Sequence, residues 1–186
     1  MAEEPSDAEL IERSRDDPES FAPIFDRYFR HIHRYVASRV GPAADDIASD
    51  TFLVAFRRRD RYDTSLPLAR AWLFGIATNL IRQHRRDEAR YYRARKQSTD
   101  AGADGGHADR VVDRVSAERM QPQLAAGLAG LSEGDRDVLL LVAYAQLPYN
   151  EVAIALDIPM GTVGSRLNRA RTHLRRVLEQ EMATHE

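Results

Sequence analysis

Between Gln97 and Arg110 the chain reads QSTDAGADGGHADR, with three glycines, small polar residues and no hydrophobic period. A stretch of this composition buries too little apolar surface to order itself and reads as a flexible linker. It divides the apolar residues into two blocks, each of which must build its own core. On both sides hydrophobic residues recur at helical spacing, and no alternating strand pattern appears. The expected fold is therefore all-α, two small helical modules joined by a tether. The Asp104-Gly105-Gly106 triplet does not make a phosphate-cradling loop, because no strand precedes it and no Gly-Lys-Ser/Thr follows.

The helical signals can be followed along the chain. Ser6-Asp7-Ala8-Glu9 has the form of a capping box and opens a first helix. A second is expected from near Pro18 to Gly41-Pro42, which stops it. A third runs from about Ala43 to Arg59. A fourth follows Ser65-Leu66-Pro67, with Ala69, Leu73, Ile76 and Leu80 forming one stripe. After the linker, helices are expected at about 111–128, 132–145, 148–156 and 160–180, the second capped through Ser132 to Asp135. The resulting division is an acidic segment over 1–17, a first module over 18–96, a linker over 97–119, a second module over 120–180 and a tail over 181–186.

Hydrophobic residues make up 43% of the 186, enough for real cores. With no cysteine, disulfides and thiolate metal sites are excluded, which fits a reducing cytoplasm. The acidic start MAEEPSDAEL is not a signal peptide, and no apolar run approaches the ~18 residues of a membrane span. His31 and His33 point away from each other on a helix, which argues against a metal site.

The formal net charge of −2 hides a segregation. Residues 1–20 carry eight acids, whereas residues 82–96 carry seven basic residues against Asp87 and Glu88. From Met160 to Leu178 there are five arginines and no acid. Two basic islands in an acidic chain form a local electrostatic footprint for a polyanion.

The second island lies in PYNEVAIALDIPMGTVGSRLNRARTHLRRVL, which has the form of helix, short turn, helix. Val163, Leu167, Ala170, Leu174 and Val177 make one buried stripe. Ser165, Asn168, Arg169, Thr172 and Arg176 fall opposite, with Arg166 and Arg171 on the flanks. One side packs while the other offers Asn and Arg to base edges and hydroxyls to phosphates, as a recognition helix requires. Thr162 lies near the helix N-terminus, where the dipole and free amides favour a phosphate oxygen.

These motifs resemble the extracytoplasmic-function sigma factors of the sigma-70 family of RNA polymerase initiation factors. LSEGDRDVLLLVAYAQLPYNEVAIALDIPMGTVGSRLNRAR is similar to their region 4, matching at Leu131, Arg136, Val138, Leu139, Tyr149, Glu151, Val152, Ala153, Gly161, Thr162, Val163, Ser165, Arg166, Leu167, Arg169, Ala170 and Arg171. Gly164 stands where lysine is usual and Asn168 where histidine is frequent. Ala44-Asp45-Asp46-Ile47-Ala48-Ser49-Asp50-Thr51-Phe52-Leu53 is similar to a region 2 pattern near A-E-D-L-V-Q-E-T-F-L, with Ser49 in place of glutamine. LPLARAWLFGIATNLIRQHRR resembles the motif that follows, with His84 where aspartate is common.

The resemblance implies that Asp45, Asp46, Ser49, Asp50 and Leu53 bind core polymerase at the β′ clamp helices. Asp46, Ser49, Asp50 and Leu53 share one helix face, whereas Ile47, Thr51, Val54 and Ala55 are core candidates. It implies that Asn79, Arg82, His84, Arg85 and Arg86 meet the downstream ("minus-10") element. Thr162, Ser165, Arg166, Asn168, Arg169, Arg171, Thr172 and Arg176 would then read the upstream ("minus-35") element. Trp72 suits either a stacking surface for single-stranded DNA or the core, and its apolar neighbours favour the core.

The implied partners are promoter DNA, core RNA polymerase (β′ clamp helices and β flap) and an anti-sigma factor, with no cofactor and no chemistry of its own. A tether of about two dozen residues reaches ~80 Å when extended. Two turns of DNA span ~70 Å, so the modules can reach two promoter elements. A stand-alone DNA-binding regulator is the rival reading. An enzyme lacks support, since no nucleophile motif or metal-spaced His/Asp/Glu set is present.

Overall fold

A computed structural model of the chain describes residues 4–65, 68–98 and 122–182, all α-helix, 3-10 helix or connecting turn among these residues. In α1 (Asp7–Arg13) the capping box forms as expected: the Ser6 amide donates to Glu9 Oε2 at 2.8 Å and the Glu9 amide to Ser6 Oγ at 3.3 Å. Pro18–Phe21 is a 3-10 turn that leads into α2 (Ala22–Val40). Gly41 ends α2 with φ 57°, a left-handed value that glycine adopts without a Cβ penalty. α3 (Ala44–Arg57) and the 30-residue α4 (Ala69–Ser98) complete the first module.

Its core follows from the helical stripes. Ile24, Ile32, Tyr35 and Val36 of α2 close against Ile47, Phe52 and Ala55 of α3, and against Leu73, Phe74, Ala77 and Ile81 of α4. Two buried hydroxyls are satisfied within this packing: Tyr35 Oη and Thr78 Oγ1 lie 2.9 Å apart, and Thr78 also donates to the Phe74 carbonyl at 2.8 Å. Trp72 packs on this core beside Tyr62, ring centroids 5.0 Å apart.

The second module comprises α5 (Pro122–Ala129), α6 (Glu133–Ala143), α7 (Tyr149–Leu156) and α8 (Met160–Met182). Ser132 caps α6 by accepting from the Asp135 amide at 3.2 Å. The Arg136 guanidinium donates to the carbonyls of Leu128 at 2.8 Å and Ala129 at 2.9 Å, satisfying the end of α5. α7 ends at Asp157 in the left-handed conformation, and Pro159, directly before α8, accepts the Thr162 and Val163 amides. Val138, Leu141, Val152, Val163, Leu167 and Ala170 form the buried centre.

The expected linker begins inside α4, which runs to Ser98, and its remainder lies outside the described residues. So do the start of the helix expected at 111–128, and Leu66 and Pro67 of the signal before α4.

The two modules also meet directly, which the sequence does not announce. α7 crosses α4 so closely that a Cβ on Gly75 would lie 2.6 Å from the Ala155 carbonyl oxygen. The Arg70 guanidinium donates to the Ala145 carbonyl across the same seam. Beside it, the fully buried Asp137 carboxylate of α6 lies 2.6 Å from Arg39 Nη2 of α2 and 2.6 Å from Arg82 Nη2 of α4. Arg39 is itself 1% exposed and reaches Tyr35 Oη at 2.9 Å. A buried carboxylate between two guanidiniums joins one module to the other.

Candidate nucleic-acid interface

α8 sorts its side chains as the helical period requires. Val163, Leu167 and Ala170 are buried and Leu174 and Val177 half-buried, while Ser165, Asn168, Arg169, Thr172 and Arg176 are exposed on the other side. Arg171 is exposed on one flank, and Arg166 is half-buried on the other. Arg175, not singled out from the sequence, is exposed as well. Thr162 is half-buried in the first turn, where its carbonyl accepts from Ser165 Oγ at 3.1 Å. Glycine at 164 leaves open space, with nothing within 4 Å of a Cβ.

Among the described residues, Arg169 is the candidate on this helix held by a carboxylate of another element. Its Nη2 lies 2.9 Å from Asp135 Oδ1 and its Nε 3.3 Å from Oδ2. The hydrogen bond from Arg169, with help from Ser132, holds the Asp135 carboxyl below its ordinary value against the effect of burial.

On α3, Asp45, Asp46, Ser49, Asp50 and Leu53 are all exposed, while Ile47, Thr51 and Ala55 are buried and Val54 half-buried. This is the division expected from the spacing. Asp45 sits 2.6 Å from His33 Nε2. Beside this face the rings of Phe25, Phe29 and Phe52 cluster, with Phe25–Phe29 centroids at 4.7 Å and Phe25–Phe52 at 4.9 Å. Phe25 is exposed, so an aromatic ridge borders the acidic face. Phe25 and Phe29, four apart on α2, carried that signal in the sequence.

The α4 candidates divide. Asn79 and Arg86 are exposed. Arg82 is committed to Asp137, with Nε also 2.7 Å from Oδ2, and Arg85 donates to the Arg39 carbonyl at 3.0 Å. His84 lies 3.5 Å from Glu88 one turn on. Farther along, Tyr91 and Tyr92 are exposed among Arg90, Arg93 and Arg95, an interleaving of rings and charge suited to single-stranded nucleic acid.

Among the described residues no three His, Cys, Asp or Glu side chains form a metal cluster, and no helix is long and apolar enough to cross a membrane.

Residues 24–91 match the family model of Sigma-70 region 2, and residues 122–174 match that of Sigma-70, region 4. The ECF RNA polymerase sigma factor SigW of Bacillus subtilis (strain 168) is 31% identical over 173 residues, covering 87% of this chain and 90% of the relative. The ECF RNA polymerase sigma factor SigL of Mycobacterium tuberculosis (strain ATCC 25618 / H37Rv) is 32% identical over 160 residues, covering 84% and 88%. The solved structure of CnrH in complex with the cytosolic domain of CnrY superposes with TM-score 0.66 at 25% identity, covering 94% of this chain and 97% of that one. The sigma factor RpoE from Bartonella quintana, solved with the anti-sigma factor NepR, has the same fold at TM-score 0.64 and 21% identity, covering 87% and 98%. With both regions in order along a helical chain of this kind, the chain belongs to the extracytoplasmic-function sigma factors of the sigma-70 family.

Proposed function

We propose that this sigma factor directs promoter-specific initiation by joining core RNA polymerase to two DNA elements, and that it works in the cytoplasm. The observation that carries the reading is the pairing of two surfaces: an exposed acidic face on α3 in one module, and in the other the arginine-rich stretch of α8 from Met160 to Leu178, which holds no acid. The α3 face and its aromatic ridge bind the β′ clamp helices, where acid meets a basic partner. α8 reads the upstream element through Ser165, Asn168, Arg169, Thr172 and Arg176, with Thr162, Arg166 and Arg171 at its edges. Asn79 and Arg86 on α4 meet the downstream element, joined by His84 and Arg85.

Arg82 reaches DNA only when its pairing with Asp137 breaks, which removes one of the two guanidiniums that hold this α6 carboxylate to the first module. The polymerase carries out the phosphoryl transfer; the sigma factor supplies recognition and strand capture. An anti-sigma factor holds it in check, a reading supported by the solved complexes of CnrH with CnrY and of RpoE with NepR.

Core binding tests the α3 assignment. Asp50→Arg reverses charge at an exposed position and is expected to weaken association with purified core polymerase while leaving the thermal melt unchanged. Equal core affinity in both proteins refutes the assignment.

A further inference from the structure

The arginines of α8 occupy two different settings. Arg166, Arg169 and His173, spaced i, i+3 and i+7, form a flank that lies against the turn between α5 and α6 and the first turn of α6. That turn is cut away to receive them. A Cβ on Gly130 would lie 2.7 Å from His173 Nε2, and one on Gly134 would lie 2.8 Å from Arg166 Nη1. Arg171, Arg175 and Arg176 are instead exposed beyond this flank.

Asp135 is the third residue of α6. A carboxylate at this position commonly turns back to the capping residue's amide, as Glu9 does to Ser6 at 2.8 Å in α1. Asp135 takes a different partner. Its amide uses the Ser132 hydroxyl, and its carboxylate faces across to the recognition helix, gripping Nε and Nη2 of Arg169 at 3.3 and 2.9 Å. Asp135 is 12% exposed and Arg169 59% exposed, so the anchor is fixed while the far end of the guanidinium is open. A pair this wet adds little to stability. Its consequence is directional: the side-on edge of the guanidinium is occupied by Asp135, and the end-on edge, Nη1 with the second Nη2 hydrogen, is the part left for another acceptor on a side chain 59% exposed.

We propose that Asp135 is a positioning residue that presents the end-on edge of Arg169 to the paired acceptors of a guanine in the upstream element. The inference rests on α8 being the reader of that element. Guanine O6 and N7 form the acceptor pair that an arginine fork fits. A free arginine loses rotamer entropy on docking, and the tether has already removed that cost in the free protein. The neighbouring carboxylate also offsets the charge of Arg169, so a lone phosphate attracts it less than it attracts Arg171, Arg175 or Arg176. Base reading and phosphate anchoring are thereby assigned to different arginines.

The test uses the full chain assembled with core polymerase, and promoter fragments in which each upstream base pair is changed in turn. Asp135→Asn is expected to lose about tenfold of discrimination at one guanine-containing pair, with the other preferences kept. Arg169→Lys, which keeps the charge and leaves Asp135 in place, is expected to lose it at the same pair. Asp135→Glu restores part of it. Binding of Asp135→Asn to duplex lacking the element is expected to rise, with a salt dependence steeper by about one counterion. If Asp135→Asn melts early, the single-pair signature of Arg169→Lys and its partial retention in Asp135→Glu decide the matter. A loss spread evenly over all pairs, or no loss at any pair, overturns the positioning role. Wild-type protein with no upstream preference instead overturns the reading of α8, and this role with it.

Discussion

Asp137→Ala removes a carboxylate that the two modules share. Asp137 is 0% and Arg39 1% exposed, so the substitution leaves a guanidinium buried beside Tyr35 Oη, 2.9 Å away, with no carboxylate to offset its charge. Breaking a buried ion pair from one side costs about 3–5 kcal/mol, because the surviving charge is desolvated without compensation. Arg82 contributes less, since at 22% exposure its side chain can turn into water. Across the same seam, the Arg70–Ala145 hydrogen bond and the 3.3 Å contact of Tyr144 Oη with the Arg34 carbonyl are each worth about 1 kcal/mol net or less. The lost pairing therefore outweighs both. Relief comes most cheaply by lifting α6 from α2 and α4, which lets water reach Arg39 while the core of the first module stays closed.

The assay is straightforward because the chain has no cysteine. Two introduced cysteines at the exposed positions Asp26 and Asn168 carry a dye pair, and small-angle scattering gives the radius of gyration of unlabelled protein. Asp137→Ala is expected to lower transfer efficiency and enlarge the particle with helicity retained. The double variant Arg39→Met with Asp137→Leu replaces ions by apolar side chains and is expected to restore the compact form. Unchanged efficiency and radius in Asp137→Ala would refute the argument that this triad holds the modules together.

Other substitutions follow from the same geometry. Gly75→Ala puts a Cβ against the Ala155 carbonyl, a backbone atom that cannot swing aside, so the dye pair should separate; helix propensity meanwhile favours alanine in α4 itself by about 1 kcal/mol, so the first module should stay folded. Gly164→Ala meets open space and gains the same propensity, and a urea midpoint should rise by up to about 1 kcal/mol in stability. Asp135 has its pKa lowered by the bond from Arg169, so that pairing favours the native state above the ordinary carboxylate value of about 4 and is lost as pH falls through the lower native value. The difference in urea midpoint between wild type and Asp135→Asn should be constant from pH 8 to 5 and shrink below about pH 4; a difference that grew in acid would contradict this sign.

The helices themselves follow from local rules that the sequence displays openly. Ser6 with Glu9 and Ser132 with Asp135 mark their caps, and Val163 through Ala170 mark the packed side of α8. The α3 face was readable for the same reason, because a period of 3.6 separates Asp46, Ser49, Asp50 and Leu53 from Ile47 and Ala55. What the sequence did not disclose was pairing over long separations. Asp137 lies one turn before the buried Leu141, and Arg39 one turn after the buried Tyr35, so each charge stands where a stripe calls for an apolar residue. That is a signal of burial, but periodicity cannot name the partner. Arg82 illustrates the consequence: charge marked it for DNA, and the fold gives it to Asp137. Arg169 is a milder case, exposed as its place on the helix requires yet directed by a carboxylate from α6.

Transcript mapping tests the proposed role most directly. Purified core polymerase, a library of genomic promoter fragments and this protein are combined, and the 5′ ends of the products are sequenced. Added protein should create discrete starts that lie a fixed distance below a shared two-part element, and Asp50→Arg should abolish them. Folded protein that binds core polymerase yet yields no starts beyond those of core alone would contradict a role in promoter-specific initiation.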